Sequence, residues 1–352
     1  MKYKLPVFFG MFYLCAINTS FAQRGVFDLE RWDNIIAGIR AKANEQNISK
    51  SVIDETLKSP SIIPGIIKSD KNQSEFTLTL EQYLNRTVSS ERISNGRKKA
   101  ATYPTLLGKV ENTYGVPKNV ILAFWGMESN YGAVKSRHQL TNAFMTLIYD
   151  GRREEFFTKQ LLSLMKIADK NRLAINSIHG SWAGAMGHFQ FIPTTLAQYG
   201  VDGNGDNRID IINSISDAMY SAGNYLNKLG WNKNEPIIKK VILPADFDRT
   251  VLNGDTKKTI ADWAAMGVMN LDGTPLTQSG NTVGLIADTK EIAKRDLYQP
   301  QRRDSEASAD TDVAPAPVIT AYLTYPNFYR IKRWNNSSWY AIAIGELSGK
   351  LR

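Results

Sequence analysis

The chain is poor in the residues that bind metals or form disulfides. Its 352 residues include one cysteine, Cys15, and three histidines. Cys15 lies in a segment that we expect to be removed, so the remaining chain can form no disulfide and has no thiolate. The histidines lack the spacing of a zinc-binding motif. Disulfide-stabilised folds, cysteine enzymes and cysteine-histidine zinc sites are therefore excluded.

Long apolar runs are also absent after residue 22, where none approaches the roughly 18 residues that a membrane-spanning helix needs. Hydrophobic residues make up 43% of the chain and charged residues 22%. This balance is typical of a globular protein and excludes a largely disordered one.

Negative charge is in deficit, since 34 Asp and Glu stand against 43 Lys and Arg, for a net charge of +9. The excess favours a polyanionic partner. A nucleic acid is one such partner, but no basic segment interleaved with aromatic residues accompanies the charge. We therefore expect no nucleic-acid binding. For an exported protein, an anionic cell wall is the natural partner.

The first 22 residues have the features of a secretory signal peptide. Lys2 and Lys4 precede an apolar stretch at 5–17, and a small-x-small sequence ends at Ala22. We expect cleavage after Ala22, which removes two lysines and lowers the net charge from +9 to +7. An uncleaved anchor is the alternative, disfavoured because the apolar part is short. The predicted location is the periplasm, with no membrane span left after cleavage.

Apolar residues recur at helical spacing through most of the chain up to residue 231. The predicted helices are 27–47, 49–57, 74–88, 93–114, 154–168 and 215–229. Pro60 and Pro64 are expected to end the second of them. After residue 231 we predict strands at 236–243 and 318–325 and helices at 259–266 and 339–351. The fold class is therefore mainly α, with a small β part (α+β).

Glu128 is the first candidate for chemistry. It ends an apolar predicted helix and is followed by Ser-Asn-Tyr-Gly, a sequence typical of a helix end. Burial and the negative helix end should both raise its pKa. A carboxylic acid that is protonated near neutral pH is suited to protonating a glycosidic oxygen. The alternative is a surface or capping glutamate, which is more common at such a position.

A second segment, 180–193, contains three glycines within eight residues together with Trp182 and Gln190. The glycines predict a backbone that lies close to a flat ligand. Gln190 offers hydrogen bonds to an amide or a hydroxyl group. A tightly packed turn between helices is an equally good interpretation.

A third segment resembles the calcium loop of an EF-hand. Asp202, Asn204 and Asp206 stand at its first, third and fifth positions. The twelfth position, usually Glu, is Asn213, and Asp217 is a candidate for the missing carboxylate. A turn without an ion remains the alternative.

Taken together and in this order, these segments resemble the B-type lytic murein transglycosylases, glycoside hydrolase family 103. The matching residues are 125–132, 151–157, 181–187, 190–193, 202–206, 217–226, 230–231, 325–328, 333–335, 337 and 340–341. The resemblance runs from about residue 27 to the C terminus. One departure is Trp334, where members of the family carry Tyr.

The resemblance implies a lysozyme-like catalytic core with an N-terminal helical part and a small β-containing insertion. The implied division is signal peptide 1–22, N-terminal helical region 23–105, catalytic core 106–232 with the EF-hand-like loop 202–213, small mixed α/β region 233–317 with a flexible loop 299–317, and a C-terminal segment 318–352 that completes the core.

The resemblance also implies an activity. The family cleaves the β-1,4 bond between N-acetylmuramic acid and N-acetylglucosamine in peptidoglycan without water, leaving 1,6-anhydromuramic ends. Glu128 would be its single acid and base, which departs from the usual two-carboxylate scheme of glycosidases. A lysozyme-like hydrolase that uses water and a non-catalytic wall-binding protein are the alternatives.

The residues implied to bind substrate are Ser181, Gln190, Tyr225, Asn327, Arg152 and Arg153. Asn327 is a candidate to orient Glu128, and the two arginines to face peptide or lactyl carboxylates. No cofactor is expected to be required. Calcium at Asp202, Asn204 and Asp206 would be structural. Peptidoglycan strands are the expected partner, other cell-wall enzymes are candidates, and the protein is expected to be a monomer.

Overall fold

The computed structural model describes residues 27–71, 78–134, 136–277, 282–290, 292 and 319–352. The predicted signal peptide and the predicted loop 299–317 lie outside these residues. Helices predominate in the described part of the chain, with a small antiparallel sheet. The predicted mainly α fold class is confirmed.

The helices are α1 (Leu29–Glu45), α2 (Lys50–Leu57), α3 (Pro64–Lys71), α4 (Leu80–Thr87), α5 (Ser90–Thr102), α6 (Pro104–Tyr114), α7 (Lys118–Ser129), α8 (Leu140–Asp150), α9 (Glu154–Asn171), α10 (Pro193–Tyr199), α11 (Ile215–Lys228), α12 (Ile260–Ala265), α13 (Pro326–Trp334) and α14 (Ser338–Lys350). Within the described ranges, none is both long and apolar enough to cross a membrane.

The strands are β1 (His138–Gln139), β2 (His179–Gly180), β3 (Ile238–Leu243), β4 (Asn253–Thr259), β5 (Thr282–Ile286) and β6 (Ile319–Thr324). The first two form a two-stranded ribbon, and the others form an antiparallel sheet in the order β3-β6-β5-β4. Strand β4 was not predicted, because its sequence NGDTKKT is polar and lacks the apolar alternation of a half-buried strand.

Prolines account for two errors in the predicted helices. The single helix predicted at 93–114 is two helices, because Pro104 begins α6 and Tyr103 leaves the helical conformation at φ −122°. Pro64 begins α3 and does not end a helix, as suits a residue whose missing N–H is unpaired at that position. The helix predicted from residue 74 begins at Leu80, where Thr79 and Gln82 form a capping box.

Two hydrophobic cores hold the molecule together. The larger one joins residues from the N-terminal helices, from 106–232 and from α13 and α14. This larger core includes residues on both sides of the predicted domain boundary between 105 and 106. The predicted domain boundaries stay predictions. The smaller core lies between the four-stranded sheet and α12, with Trp263 fully buried in it. Strand β6 leads directly from the sheet into α13, which returns the chain to the larger core.

Helix α7 lies at the centre of the larger core, with every residue from Val120 to Gly126 buried. Its C-terminal turn is strained, because Asn130, Tyr131 and Gly132 all have positive φ angles, at 48°, 60° and 82°. A bulky residue such as Tyr131 rarely adopts this conformation. Its ring is buried against Gly126, and its hydroxyl donates to the Arg92 carbonyl at 3.0 Å. These contacts hold the turn in place.

Two glycine substitutions inside neighbouring helices test this packing. A Cβ at Gly126 would lie 2.7 Å from the Tyr131 phenol, whereas a Cβ at Gly108 would meet no atom within 4 Å. We expect Gly108→Ala to stabilise the protein by about 0.5–1 kcal/mol, since alanine favours the helix. Overpacking should make Gly126→Ala destabilising by about 1–3 kcal/mol. Urea unfolding measures both, and an equal gain from the two would show that Tyr131 does not constrain the helix.

Candidate functional site

A cleft of about 430 Å³ opens at the C-terminal end of α7. Residues from α4, α5, α11, α13 and α14 and from the segment 181–195 line it. Four of the predicted site residues meet there, namely Glu128, Ser181, Gln190 and Tyr225. The cleft is therefore the candidate active site.

A groove of similar volume, about 420 Å³, lies between α1, α8 and α9. Charged side chains in it neutralise one another, as Arg31 and Glu154 form an ion pair at 3.0 Å. The carboxylates that line it belong to the exposed residues Asp28, Glu30 and Glu154. The groove offers no comparable acid or base, so the cleft at Glu128 is the better candidate.

The Glu128 carboxyl group is held by two donors on one oxygen. Oε1 accepts hydrogen bonds from the Trp334 indole N–H at 2.9 Å and from the Tyr340 hydroxyl at 2.5 Å. An indole N–H can only donate, so Oε1 must present a lone pair to it. Within the described part of the chain, Oε2 has no hydrogen-bond partner. The proton of the neutral acid therefore belongs on Oε2.

Burial raises the pKa of Glu128 to about 7. The hydrogen bonds from Tyr340 and Trp334 favour the charged form and lower the pKa, but burial prevails. The carboxyl group thus holds a proton for a large part of the time at neutral pH, in the direction that the sequence predicts. At that pH it can both release and accept a proton.

Two tyrosines near Glu128 remain neutral donors at physiological pH. Burial and the negative charge of Glu128 raise the pKa of Tyr340 well above its ordinary value. The same two causes raise the pKa of Tyr83 to about 12. Neither residue was predicted to belong to the site. Tyr340 lies in a segment that matches the family and Tyr83 does not, but neither segment by itself identifies a contact with Glu128.

Ser181 and Gln190 face the cleft from a compact turn. The Ser181 hydroxyl accepts from the Ala185 N–H at 3.0 Å, and the Gln190 side chain donates to the Gly187 carbonyl at 2.9 Å. Gln190 has a positive φ of 49°, an unusual conformation that aims its side chain. The acceptor atoms of both side chains remain open to a ligand.

The glycines of this turn serve packing within the protein. A Cβ at Gly184 would lie 2.2 Å from the Phe144 ring, and one at Gly187 would lie 2.6 Å from the Ile211 carbonyl. The expected close approach of backbone to a ligand is therefore wrong for these glycines. The alternative, a tightly packed turn, describes them correctly, and Trp182 supplies the flat surface in the cleft.

Aromatic rings that contact one another form a wall of the cleft. Tyr225 stacks on Tyr199 at 4.5 Å between ring centroids and lies 5.0 Å from Trp334. Phe191 lies 5.3 Å from Trp334. Burial raises the pKa of Tyr225 to about 12, so its hydroxyl is neutral. Trp334 thus joins the wall to Glu128.

Asn327 is not in the cleft, so the expectation that it orients Glu128 is wrong. It is fully buried at the start of α13, where it bonds the backbone of Asn232 at 2.8 and 3.0 Å and the Glu235 carbonyl at 2.8 Å. The cleft is lined by the other end of α13 and the residue after it, Asn335. An asparagine in a matching motif does not reveal which end of the helix meets the site.

Arg152 and Arg153 also lie outside the cleft, contrary to expectation. Both guanidinium groups bind the carboxylate of Asp70, which is 3% exposed. Asp70 belongs to α3, a helix that was not predicted from the sequence. The arginines therefore tie α3 to the start of α9 and do not line the cleft.

The EF-hand-like loop is held together by its own hydrogen bonds. The Asp202 carboxylate accepts three backbone N–H groups of the loop at 2.7–3.2 Å. The side chains of Asn204 and Asp206 bond one another at 3.0 Å. These hydrogen bonds stabilise the turn.

The residues that would complete a calcium site are engaged elsewhere. Asn213 bonds Asp210 at 2.8 Å, and the buried Asp217 accepts the N–H groups of Gly203 and Asp210 at 3.0 and 2.8 Å. Among the described residues there is no cluster of three His, Cys, Asp or Glu side chains that could hold a metal. The loop therefore lacks the bidentate acid that usually completes a calcium site at the twelfth position.

Comparisons with known proteins agree with the fold. Residues 31–349 match the sequence model of the transglycosylase SLT domain. The chain is 26% identical over 318 residues to membrane-bound lytic murein transglycosylase B of Escherichia coli strain K12, covering 86% of this chain and 78% of that protein. The match spans nearly the whole described fold.

Solved structures are similar as well. SltB3 from Pseudomonas aeruginosa, in complex with NAG-anhNAM-pentapeptide, is 33% identical with a TM-score of 0.78, covering 90% of this chain and 78% of that chain. The Escherichia coli lytic transglycosylase Slt35 in complex with calcium has a TM-score of 0.72 at 24% identity, covering 91% and 92%, and supports the fold alone.

The molecule is thus an enzyme of the lysozyme-like class. The chain belongs to the family of lytic transglycosylases with an SLT domain. The resemblance to the B-type enzymes is confirmed.

The indole donor provides a test of the Glu128 environment. Trp334→Phe removes an N–H that favours the charged carboxylate, so the pKa of Glu128 should rise above its value of about 7, by roughly one pH unit. Carboxyl carbon NMR of glutamate-labelled protein measures the titration. Trp182→Phe alters another cleft tryptophan that does not bond Glu128 and should leave the pKa in place. A fall in the Trp334→Phe protein would refute the assigned donor role.

Proposed function

We propose that the protein cleaves the β-1,4 bond between N-acetylmuramic acid and N-acetylglucosamine in peptidoglycan, leaving 1,6-anhydromuramic ends. The observation that carries the proposal is one half-buried carboxyl group with a pKa of about 7, held by two neutral donors in a polar and aromatic cleft. The peptidoglycan fragment bound to the similar SltB3 supports the choice of substrate.

In the first step, Oε2 of Glu128 gives its proton to the bridging oxygen while the bond from C1 of the muramoyl residue to that oxygen breaks. The N-acetylglucosamine side leaves with a hydroxyl group. Fixing the carboxyl group in this position requires no cation, which would otherwise hold it ionised.

In the second step, the Glu128 carboxylate takes the proton from the muramoyl C6 hydroxyl as its oxygen bonds to C1. The acid is thereby restored, and no water is consumed. One carboxyl group suffices because the nucleophile belongs to the substrate. No other Asp or Glu among the described residues lines the cleft, which fits this scheme better than the two-carboxylate one.

Substrate groups are assigned to the other cleft residues by chemistry. Ser181 and Gln190 have open acceptor and donor atoms for acetamido and hydroxyl groups. Tyr225 and Trp334 present ring surface to the apolar faces of sugars. A hydrolase would use the same cleft with water at C1. A wall-binding protein without activity would have no use for an acid with so high a pKa.

The proposal extends to the setting of the enzyme. We infer export to the periplasm with removal of residues 1–22, action as a monomer on glycan strands, and no required cofactor. Other cell-wall enzymes are candidate partners.

Mass spectrometry of the products tests the reaction. Purified peptidoglycan should release anhydromuropeptides with the wild type, and Glu128→Gln should lower the rate by at least about a hundredfold, since an amide cannot give the proton. Glu155→Gln, an exposed glutamate on α9, is the matched control and should keep full activity. Products heavier by one water would identify a hydrolase. Wall binding without release would identify a binding protein.

Chelation tests whether the activity requires a bound metal ion. Because the loop 202–213 holds its shape with its own hydrogen bonds, EDTA should leave the rate of anhydromuropeptide release unchanged within about twofold. Addition of 1 mM CaCl₂, about the concentration that weak calcium sites need, should move the melting temperature by no more than about 2 °C. A larger rise that Asp202→Asn abolishes would establish a calcium site.

A further inference from the structure

The charges that line the cleft are unbalanced. Apart from Glu128, the charged side chains among its described lining residues are Arg92 and Arg333. With Glu128 protonated, the cleft therefore carries two positive charges. By contrast, Arg152 and Arg153 are both paired with the carboxylate of Asp70.

Arg92 is half-buried at the start of α5. One of its guanidinium nitrogens donates to the Thr87 carbonyl, and its Nε is buried without a hydrogen-bond partner. It forms no ion pair with any described carboxylate. A half-buried guanidinium group with unused donors is suited to an anionic ligand, since charge-assisted hydrogen bonds to such a group are strong.

Arg333 lies in the other wall of the cleft. It is exposed in the last turn of α13, its carbonyl accepts the Tyr225 hydroxyl at 3.4 Å, and it precedes Trp334, which bonds Glu128. No described carboxylate pairs with its guanidinium group. The planar, permanently charged fork of arginine matches a carboxylate in two parallel hydrogen bonds.

The two cations thus belong to different walls. Arg92 adjoins Tyr83 and Thr87, whereas Arg333 adjoins Tyr225 and Trp334. In the proposed substrate every second sugar is a muramoyl residue whose lactyl group carries a peptide with free carboxylates. A strand that crosses the cleft therefore has a peptide-bearing sugar on each side of the bond that is cut.

We propose that Arg92 and Arg333 bind carboxylates of the stem peptides, so that the enzyme selects peptide-bearing strands. The inference rests on the proposed function and adds a specificity to it. It assigns to Arg92 and Arg333 the role that the sequence suggested for Arg152 and Arg153. The guanidinium groups of Arg152 and Arg153 form ion pairs with Asp70 instead.

The experiment compares three soluble substrates made from the same glycan strands. The first carries native stem peptides. In the second, carbodiimide and excess methylamine have converted the peptide carboxylates to neutral amides. In the third, an amidase has removed the peptides and left a free lactyl carboxylate on each muramoyl residue. Initial rates of anhydro-end formation yield kcat and KM for each.

For the wild type we expect KM on the amidated strands to be about tenfold above KM on the native strands, the effect of one charge-assisted hydrogen bond at a partly exposed site. Arg333→Gln should raise KM on native strands by about threefold, part of the way to the amidated value because Arg92 remains, with kcat unchanged within about twofold. Lys332→Gln, which removes the neighbouring charge outside the cleft, should behave as the wild type. Retention of the tenfold preference by Arg333→Gln would overturn the assignment.

Arg92 is tested by the pair Arg92→Lys and Arg92→Gln, with Lys98→Gln on the exposed surface of α5 as control. Melting temperatures show whether loss of the Thr87 contact unfolds the protein, and Arg92→Lys keeps the charge if Arg92→Gln does not fold. The preference should survive in part in Arg92→Lys. If the amidase-treated strands bind as tightly as the native ones, the ligand is the lactyl carboxylate and the peptide assignment is wrong.

Failure of the proposed function has a different signature. It would appear in the wild type on native strands, as reducing ends or as no cleavage. Normal anhydro products with no effect of the charges would overturn the specificity alone.

Discussion

The hydrogen bonds from Trp334 and Tyr340 to one oxygen of Glu128 are the constraint on which the cleft depends. They join α7 to residues more than 200 positions later in the chain. Both donors are neutral, so they fix the carboxyl group in place and still leave burial as the dominant influence on its pKa. A lysine or arginine there would fix the group equally well but would hold it ionised.

The rest of the fold supports this arrangement. The strained turn 130–132 ends α7 directly after Glu128, and the buried ring of Tyr131 holds that turn against the glycine surface of the helix. The small sheet contributes in another way, because β6 delivers α13 and α14 to the far side of α7. After the sheet the chain thus returns to the larger core at α13 and α14, the helices that contain the donors Trp334 and Tyr340.

The arginines of the molecule have two different roles, one structural and one in the cleft. The deep carboxylate of Asp70 uses two arginines to join helices, whereas the arginines of the cleft have no carboxylate within the described chain. The sequence around these four arginines does not reveal which of them form ion pairs within the protein. Their roles differ because only packing decides which of them meets a buried acid and which faces an open space.

The sequence by itself determined the features that depend on neighbouring residues. Helical spacing located most helices, the apolar run placed Glu128 at a buried helix end, and the order of motifs brought Ser181, Gln190 and Tyr225 into one site. Local rules were insufficient where prolines allow either the start or the end of a helix, as at Pro64 and Pro104. Only the tertiary structure decided the partners of each side chain: Trp334 and Tyr340 for Glu128, Asp70 for Arg152 and Arg153, and Asn335 in place of Asn327 in the cleft. The physical reason is that a hydrogen bond or an ion pair depends on which distant segment packs against a residue. The spacing of residues along the chain does not determine that packing.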